Sequence, residues 1–101
     1  MIALALLLAA QTPQSVGFTP DEERAVMATF LCQKRYVDSV PRRERRRGGA
    51  ALIEEAIGAC ANEEAALRAI LRTHYNAEST DRVVQLVRDR TREGMLRYLR
   101  R

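Results

Sequence analysis

The sequence predicts an all-α fold, a small bundle of three to four helices that contains a helical hairpin tied by one disulfide. Apolar residues recur at three- and four-residue spacings in four segments, as helices with one buried face require. No segment alternates apolar and polar residues in the manner of a half-buried strand. Two cysteines flank the charged stretch PRRERRRGG, Pro41 to Gly49. At 101 residues the chain has room for a single domain.

The first residues, MIALALLLAA, are without charge, and Ile2 to Ala10 form an uninterrupted apolar run. As a helix this run would be roughly 13 Å long, less than half of a ~30 Å hydrocarbon layer, so it is too short to span a bilayer. It is typical of a signal-peptide core. We therefore expect a signal peptide over residues 1–17, cleaved after Ala10 or Gly17, and one α-helical domain over 18–101 in a periplasmic or secreted protein. The alternative is a buried first helix of a cytosolic domain.

The first helix has a well-marked start and end. Thr19 is expected to be its N-cap, Pro20 suits the first helical position, and Thr19 with Glu22 forms a capping-box pattern. Pro41 should end the helix near Asp38 to Val40. Its expected buried face consists of Val26, Met27, Phe30, Leu31, Tyr36, Val37 and Val40.

The second and third helices are predicted on either side of a kink or turn at Ala61 and Asn62, with Asn62 as the cap of the third. His74 is expected in the last turn of the third helix, where a cation favours the helix dipole, and Asn76 is expected as a left-handed stop. The second helix should bury Leu52, Ile53, Ala56, Ile57 and Cys60. The third should bury Ala66, Leu67, Ile70, Leu71 and Tyr75.

The fourth helix is predicted to start at a cap formed by Ser79 or Thr80. Two apolar groups, in VVQLV and MLRYL, are separated by the wholly polar RDRTRE. The helix should therefore be amphipathic at both ends and solvated in its middle, where Gly94 could bend it.

Cys32 and Cys60 are the only cysteines in the chain. Cys32 precedes Pro41 by nine residues and Cys60 follows Gly49 by eleven, which places both at similar heights on an antiparallel hairpin. A disulfide between them would stabilise so small a domain by about 3 to 4 kcal/mol on the chain-entropy model. The alternatives are a redox or metal site, which lacks CxxC spacing, and two buried free thiols. No metal or cofactor site is predicted.

Charge is concentrated in two zones of a chain whose net charge is +4. Residues 41–49 carry +4 and residues 80–101 also carry +4, so the rest of the chain is mildly acidic. Nearly all the cations are arginine, a residue suited to phosphate or carboxylate recognition, although a coding bias gives the same composition.

Three interpretations of PRRERRRGG compete. It could contact nucleic acid, but no base-reading motif lies nearby. It could contact an anionic membrane surface together with the basic fourth helix. It could also be a solvated connector, which we favour, because its arginines point nearly all the way round a helical wheel. The residues open to an acidic partner are Arg42, Arg43, Arg45, Arg46 and Arg47.

With the apolar N-terminus, a cysteine in helix one, the segment AIGACANEEAALRAIL around Cys60 and an arginine-rich tail, the chain resembles small exported α-helical proteins with two cysteines from proteobacteria. This resemblance implies architecture and compartment. A more distant likeness is to periplasmic acid-stress chaperones, which are also small, helical and joined by one disulfide.

No catalytic constellation is recognisable in the sequence. The adjacent pairs Glu54/Glu55 and Glu63/Glu64 face different directions on a helix, and His74 is the only histidine. We therefore expect a non-catalytic interaction or structural protein of the cell envelope. The alternatives are a holdase-type stress chaperone and a basic module that binds membrane surfaces or nucleic acid. The sequence leaves the oligomeric state open.

Overall fold

The computed structural model describes residues 18–100, so the signal peptide predicted for residues 1–17 lies outside the described residues. Within this range the chain forms four helices and no strand, which confirms the predicted fold class. The helices are α1 (Pro20–Asp38), α2 (Arg42–Ala59), α3 (Ala61–Leu71) and α4 (Ala77–Leu99).

Helix α1 begins and ends as the sequence predicts. The Thr19 hydroxyl accepts a hydrogen bond from the Glu22 amide at 3.2 Å, and Glu22 Oε1 accepts one from the Thr19 amide at 3.0 Å. This reciprocal capping box satisfies two amides that the helix itself leaves without partners. The helix ends at Asp38, three residues before Pro41.

Helix α2 begins earlier than expected. The interpretation of PRRERRRGG as a connector is wrong in conformation, because Arg42 to Gly48 are already helical and the link to α1 is only Ser39 to Pro41. The helix is interrupted at Gly49, whose φ of 47° and ψ of −126° lie in a region that side-chain-bearing residues rarely adopt. Gly49 thus separates an arginine-rich first segment from the apolar remainder of the helix.

The cysteines form the predicted bridge between α1 and the junction of α2 with α3. The two Cα atoms of Cys32 and Cys60 are 6.0 Å apart, and Cys60 is buried between the two helices that it joins. The disulfide therefore fixes the bend from α2 into α3 against the middle of α1.

The core lies where α2 and α3 pack against α1 and against α4. One cluster centres on Ile53 and Met95, and a second centres on Leu67, Leu71 and Val84. Fully burying a side chain of this size contributes roughly 1.5 to 3 kcal/mol. All the residues predicted for the buried face of α2 are buried: Leu52, Ile53, Ala56, Ile57 and Cys60.

The predicted buried face of α1 is only partly correct. Met27 is 54% exposed and Leu31 is 42% exposed, and of the predicted face only Val37 is fully buried. The inward positions of this helix are mostly polar instead: Glu22, Thr29 and Gln33 are buried beside Val37. The apolar side chains of α1 therefore lie partly on the surface.

Three predicted helix caps are wrong. Asn76 is the N-cap of α4 and not a left-handed stop, since its backbone is extended and its side-chain oxygen accepts from the Ser79 amide at 2.8 Å. Thr80 is consequently inside α4, where it is buried. Asn62 does not cap α3, because that helix starts at Ala61, directly after Cys60.

The RDRTRE segment predicts a solvated middle of α4, and this is only partly correct, because two of its arginines pair with other helices. Arg88 forms a bidentate pair with Glu64 of α3, with nitrogen–oxygen distances of 2.8 and 2.6 Å. Arg92 forms a second with Glu54 of α2, at 2.8 and 3.0 Å. The hydrogen bonds that Arg92 donates to Glu54 lower the pKa of Glu54 and raise the pKa of Arg92. These two bidentate pairs, the arginine forks of α4, join α4 to both α2 and α3.

In the part of the chain that the structure describes, none of the helices combines the length and apolar character needed to cross a bilayer.

Candidate anion-binding site

The arginine-rich start of α2 and the C-terminal end of α4 meet at one end of the bundle. The last turn of α4 lies beside the arginine-rich start of α2, and the two enclose a hollow of about 280 Å³. Its walls are formed by Arg42, Arg45, Arg46, Tyr98 and Leu99. Residues that are far apart in the sequence are thus brought to a single end of the molecule.

Asp38 holds this end together. The Tyr98 hydroxyl donates to Asp38 Oδ1 at 2.6 Å, and Arg45 donates to the same oxygen at 3.3 Å. Lys34 donates to Asp38 Oδ2 at 2.9 Å, and its ammonium lies 5.0 Å from the centre of the Tyr98 ring, within cation–π range. Three helices, α1, α2 and α4, are therefore joined through one carboxylate.

The electrostatics of this cluster follow from those contacts. The hydrogen bond from Tyr98, followed by that from Lys34, lowers the pKa of Asp38. The hydrogen bond to Asp38 raises the pKa of Lys34. The Asp38 carboxylate thus already accepts hydrogen bonds from Tyr98, Lys34 and Arg45. It forms no ion pair with the remaining arginines of α2.

Four arginines share one open groove at the start of α2. The groove has a volume of about 600 Å³ and is lined by Arg42, Arg43, Arg46 and Arg47. Within residues 18–100 these four side chains form no ion pair, and all are exposed. Their positions at i, i+1, i+4 and i+5 place them on two adjacent ridges of the helix surface.

The sequence interpretation of a basic run pointing in all directions is therefore wrong in detail. Arg45 turns toward Asp38 and is partly buried, whereas the other four lie together. Glu44 is not among the residues that line the groove. The run divides into one arginine that stabilises the fold and four that are available to a ligand.

The helix terminus adds to the positive potential of the groove. Pro41 is the N-cap of α2 and provides no side-chain hydrogen bond to the first amides of the helix. Those amides carry the positive end of the helix dipole. Guanidinium groups bind carboxylate and phosphate oxygens through paired N–H donors, so the arrangement is suited to holding an anion.

His74 lies in the turn after α3, not in its last helical turn. Its Nδ1 is 3.3 Å from Oε2 of the buried Glu22 and 3.0 Å from the Thr73 hydroxyl. This neighbour is not predictable from the sequence, because the capping box accounts for Glu22 and fifty-two residues separate it from His74. The contact joins the start of α1 to the end of α3.

Cys32, Cys60 and Glu63 place their sulfur and carboxylate atoms within 4.8 Å of one another. Both sulfurs belong to the disulfide, so neither is a thiolate that could bind a metal. The cluster is therefore a disulfide with the Glu63 carboxylate beside it.

Comparison of the chain with protein-family models, with curated proteins and with solved structures finds no match.

Proposed function

We propose that this protein is an exported, non-catalytic binding protein of the cell envelope that holds an anionic partner in the arginine groove of α2. The observation that carries the proposal is the groove of Arg42, Arg43, Arg46 and Arg47, four exposed cations with no carboxylate partner among the described residues. A ligand of opposite charge relieves their mutual repulsion.

The surroundings of the groove support an anion of some extent over a single small ion. Arg97 and Arg100, near the end of α4, are exposed and add to the same end of the bundle. A cationic side chain near an anionic surface contributes roughly 1 kcal/mol, and the contribution falls off within a Debye length of about 10 Å at 0.1 M salt. A partner that spans both basic zones can use more of these side chains than an isolated phosphate can.

The compartment is part of the proposal. The disulfide between Cys32 and Cys60 favours an oxidising location, and the apolar run Ile2 to Ala10 is typical of an export signal. The chemistry to be recognised there is phosphate or carboxylate on an envelope component.

The test is a binding titration of the oxidised protein against three probes. These are vesicles of a neutral lipid, the same vesicles containing an anionic lipid, and a soluble polyphosphate. We expect binding to the anionic vesicles but not to the neutral ones, with an affinity that falls as salt rises past ~0.2 M. Competition by polyphosphate would assign the recognition to phosphate as such, whereas vesicle binding that polyphosphate leaves unchanged would assign it to the lipid surface. A protein that binds neither the anionic vesicles nor the polyphosphate would contradict the proposal.

A further inference from the structure

Arg45 has an unused binding edge beside the hollow at the start of α2. It bonds to Asp38 through one terminal nitrogen, Nη1, at 3.3 Å. Its Nε is buried without a hydrogen-bond partner, and its Nη2 takes part in no hydrogen bond or ion pair within residues 18–100. The edge of the guanidinium that consists of Nε and Nη2 is therefore without an acceptor in the part of the chain that the structure describes.

The same edge of two other arginines binds carboxylates in this protein. Arg88 donates from Nε and Nη2 to the two oxygens of Glu64, and Arg92 donates from Nε and Nη2 to those of Glu54. Such paired N–H donors are the strong, geometrically specific mode in which guanidinium groups bind oxyanions. Arg45 has the donor arrangement of the arginine forks of α4 without their acceptor.

Asp38 orients Arg45 without using up its charge. The carboxylate accepts shorter hydrogen bonds from Tyr98, at 2.6 Å, and from Lys34, at 2.9 Å. The hydrogen bonds from Tyr98 and Lys34 are the main causes of the lowered pKa of Asp38, and the charge of Arg45 is a minor one. Lys34 and Arg45 therefore share one negative charge, and part of the positive charge of Arg45 is left for the hollow.

The hollow has more positive charge around it than Asp38 balances. Its wall contains three guanidinium groups, those of Arg42, Arg45 and Arg46. The one carboxylate paired with them is that of Asp38, which Lys34 also binds. Glu44 does not line the hollow. The excess of positive charge is at least two, which suits a dianion better than a monoanion.

We infer that the hollow is a phosphate subsite of the arginine groove that takes a phosphomonoester, and that Arg45 is the residue that selects it. Because Arg42 and Arg46 line both the hollow and the groove, this subsite rests on the proposed function. A phosphomonoester carries a charge of about −1.5 to −2 at pH 7 and three terminal oxygens. A phosphodiester carries a single charge. Two oxygens of the monoester pair with Nε and Nη2 of Arg45, and the third lies toward Arg42 and Arg46.

The remaining wall of the hollow accommodates the group that carries the phosphate. Tyr98 and Leu99 form this wall, and the Tyr98 ring is held by its hydrogen bond to Asp38 and by the Lys34 ammonium, 5.0 Å from the ring centre. Arg42 is exposed, so its side chain can turn to uncover the Nε of Arg45. At about 280 Å³ the hollow is near the lower end of the size range of small-ligand sites, which fits a lipid headgroup or a small soluble phosphomonoester.

A comparison of two anionic lipids tests the subsite separately from the proposed function. The oxidised protein is titrated with vesicles that contain phosphatidic acid, a phosphomonoester, and with vesicles that contain phosphatidylglycerol, a phosphodiester. Both are diluted in neutral lipid to the same surface potential. We expect about tenfold tighter binding to phosphatidic acid. Equal affinities would overturn the phosphomonoester subsite and leave the arginine groove in place, whereas binding to neither lipid would overturn both.

Arg45→Lys tests the role of the guanidinium edge. Lysine keeps the positive charge and a donor for Asp38, but it has no paired N–H groups. We expect the preference for phosphatidic acid to fall to about twofold or less. Arg47→Lys is the matched control, because Arg47 lines the groove but not the hollow, and it should keep the tenfold preference. Urea unfolding establishes that both variants are folded, and a preference that survives Arg45→Lys would overturn the assignment to Arg45.

Soluble competitors identify the source of the phosphomonoester. Glycerol phosphate, a monoester, and dimethyl phosphate, a diester, are added at equal ionic strength to protein bound to phosphatidic acid vesicles. Displacement by glycerol phosphate alone would support the subsite and show that a free phosphomonoester is sufficient. Displacement by neither, with the lipid preference retained, would support a subsite for a lipid headgroup. Equal displacement by both would overturn the inference, because the hollow would then not distinguish a monoester from a diester.

Discussion

The Tyr98 hydroxyl donates a 2.6 Å hydrogen bond to Asp38, which joins the last turn of α4 to the last residue of α1. Arg45 of α2 and Lys34 of α1 reach the same carboxylate. This contact brings the last turn of α4 and the arginine-rich start of α2 to one end of the bundle, and it occupies the Asp38 carboxylate. Because Asp38 pairs with Lys34 and Arg45, it is not a partner of the four arginines of the groove.

Replacing Tyr98 by phenylalanine should lower the free energy of unfolding by about 1 kcal/mol, because it removes one hydrogen bond to a charged group that is partly solvated. Tyr36→Phe is the matched control. Tyr36 packs on the same core cluster, and its hydroxyl has no hydrogen-bond partner among the described residues, so its loss should change little. Urea unfolding measures both. Equal losses of unfolding free energy in the two variants would mean that the Tyr98 hydroxyl contributes no more to stability than the unpaired hydroxyl of Tyr36.

The lowered pKa of Asp38 predicts how stability depends on acid. A carboxyl whose pKa is lower in the folded state stabilises the fold above its unfolded pKa of about 4, and this contribution is lost as pH falls through the folded value. The difference in unfolding free energy between the protein and Asp38→Asn should therefore be greatest near neutral pH and begin to shrink as pH falls below about 4. A difference that stays constant over this range would be inconsistent with the hydrogen bonds to Asp38.

The two arginine forks of α4 should differ in their contribution. Glu64 is only 8% exposed, so Arg88→Met leaves a nearly buried carboxylate without its partner and should cost about 2 kcal/mol. Arg92→Met frees the more exposed Glu54 and should cost less than about 1 kcal/mol. Adding Glu64→Gln to Arg88→Met should recover part of the loss. Chemical denaturation of the three variants and the unaltered protein gives these values, and equal costs for Arg88 and Arg92 would contradict the prediction.

Removing the disulfide should destabilise the fold without changing its helices. Cys32→Ala with Cys60→Ala should cost about 3 kcal/mol, which for a domain of this size lowers the melting temperature by roughly 12 to 24 °C. Thermal unfolding followed by circular dichroism measures this. Intact mass after alkylation, with and without prior reduction, shows independently whether the thiols are paired. Free thiols in the native protein would contradict both the bridge and the export proposal.

Local chemistry explains what could be predicted from the sequence. The capping box at Thr19 and the buried face of α2 depend on residues within a few positions of each other, and both are confirmed. Asn76 was ambiguous, because asparagine serves both to start and to end helices, and only its extended backbone decides between them.

Long-range pairing explains what could not be predicted. The inward face of α1 contains Glu22 and Gln33, residues that hydrophobic periodicity assigns to solvent. The polar middle of α4 was predicted to be solvated because its partners on α2 and α3 lie far away in sequence. The arginine groove depends on the same kind of information, since only the contact of Arg45 with Asp38 separates that side chain from the other four.

The central claim is that the four arginines at the start of α2 bind an anionic partner. The most direct test compares two variants with the same net charge in a titration with anionic vesicles at low salt. One carries glutamine at Arg42, Arg43, Arg46 and Arg47. The other carries glutamine at four arginines remote from the groove, Arg24, Arg68, Arg72 and Arg82.

Both variants should remain folded, because none of the groove arginines forms an ion pair within the described residues. Of the control arginines, Arg24, Arg72 and Arg82 are exposed, and Arg68 is half-buried in a surface ion pair, which contributes little. The account predicts that the groove variant loses binding by at least tenfold, whereas the control variant keeps most of it. Equal losses in the two variants would show that net charge alone attracts the vesicles, and would contradict a binding site at the arginine groove.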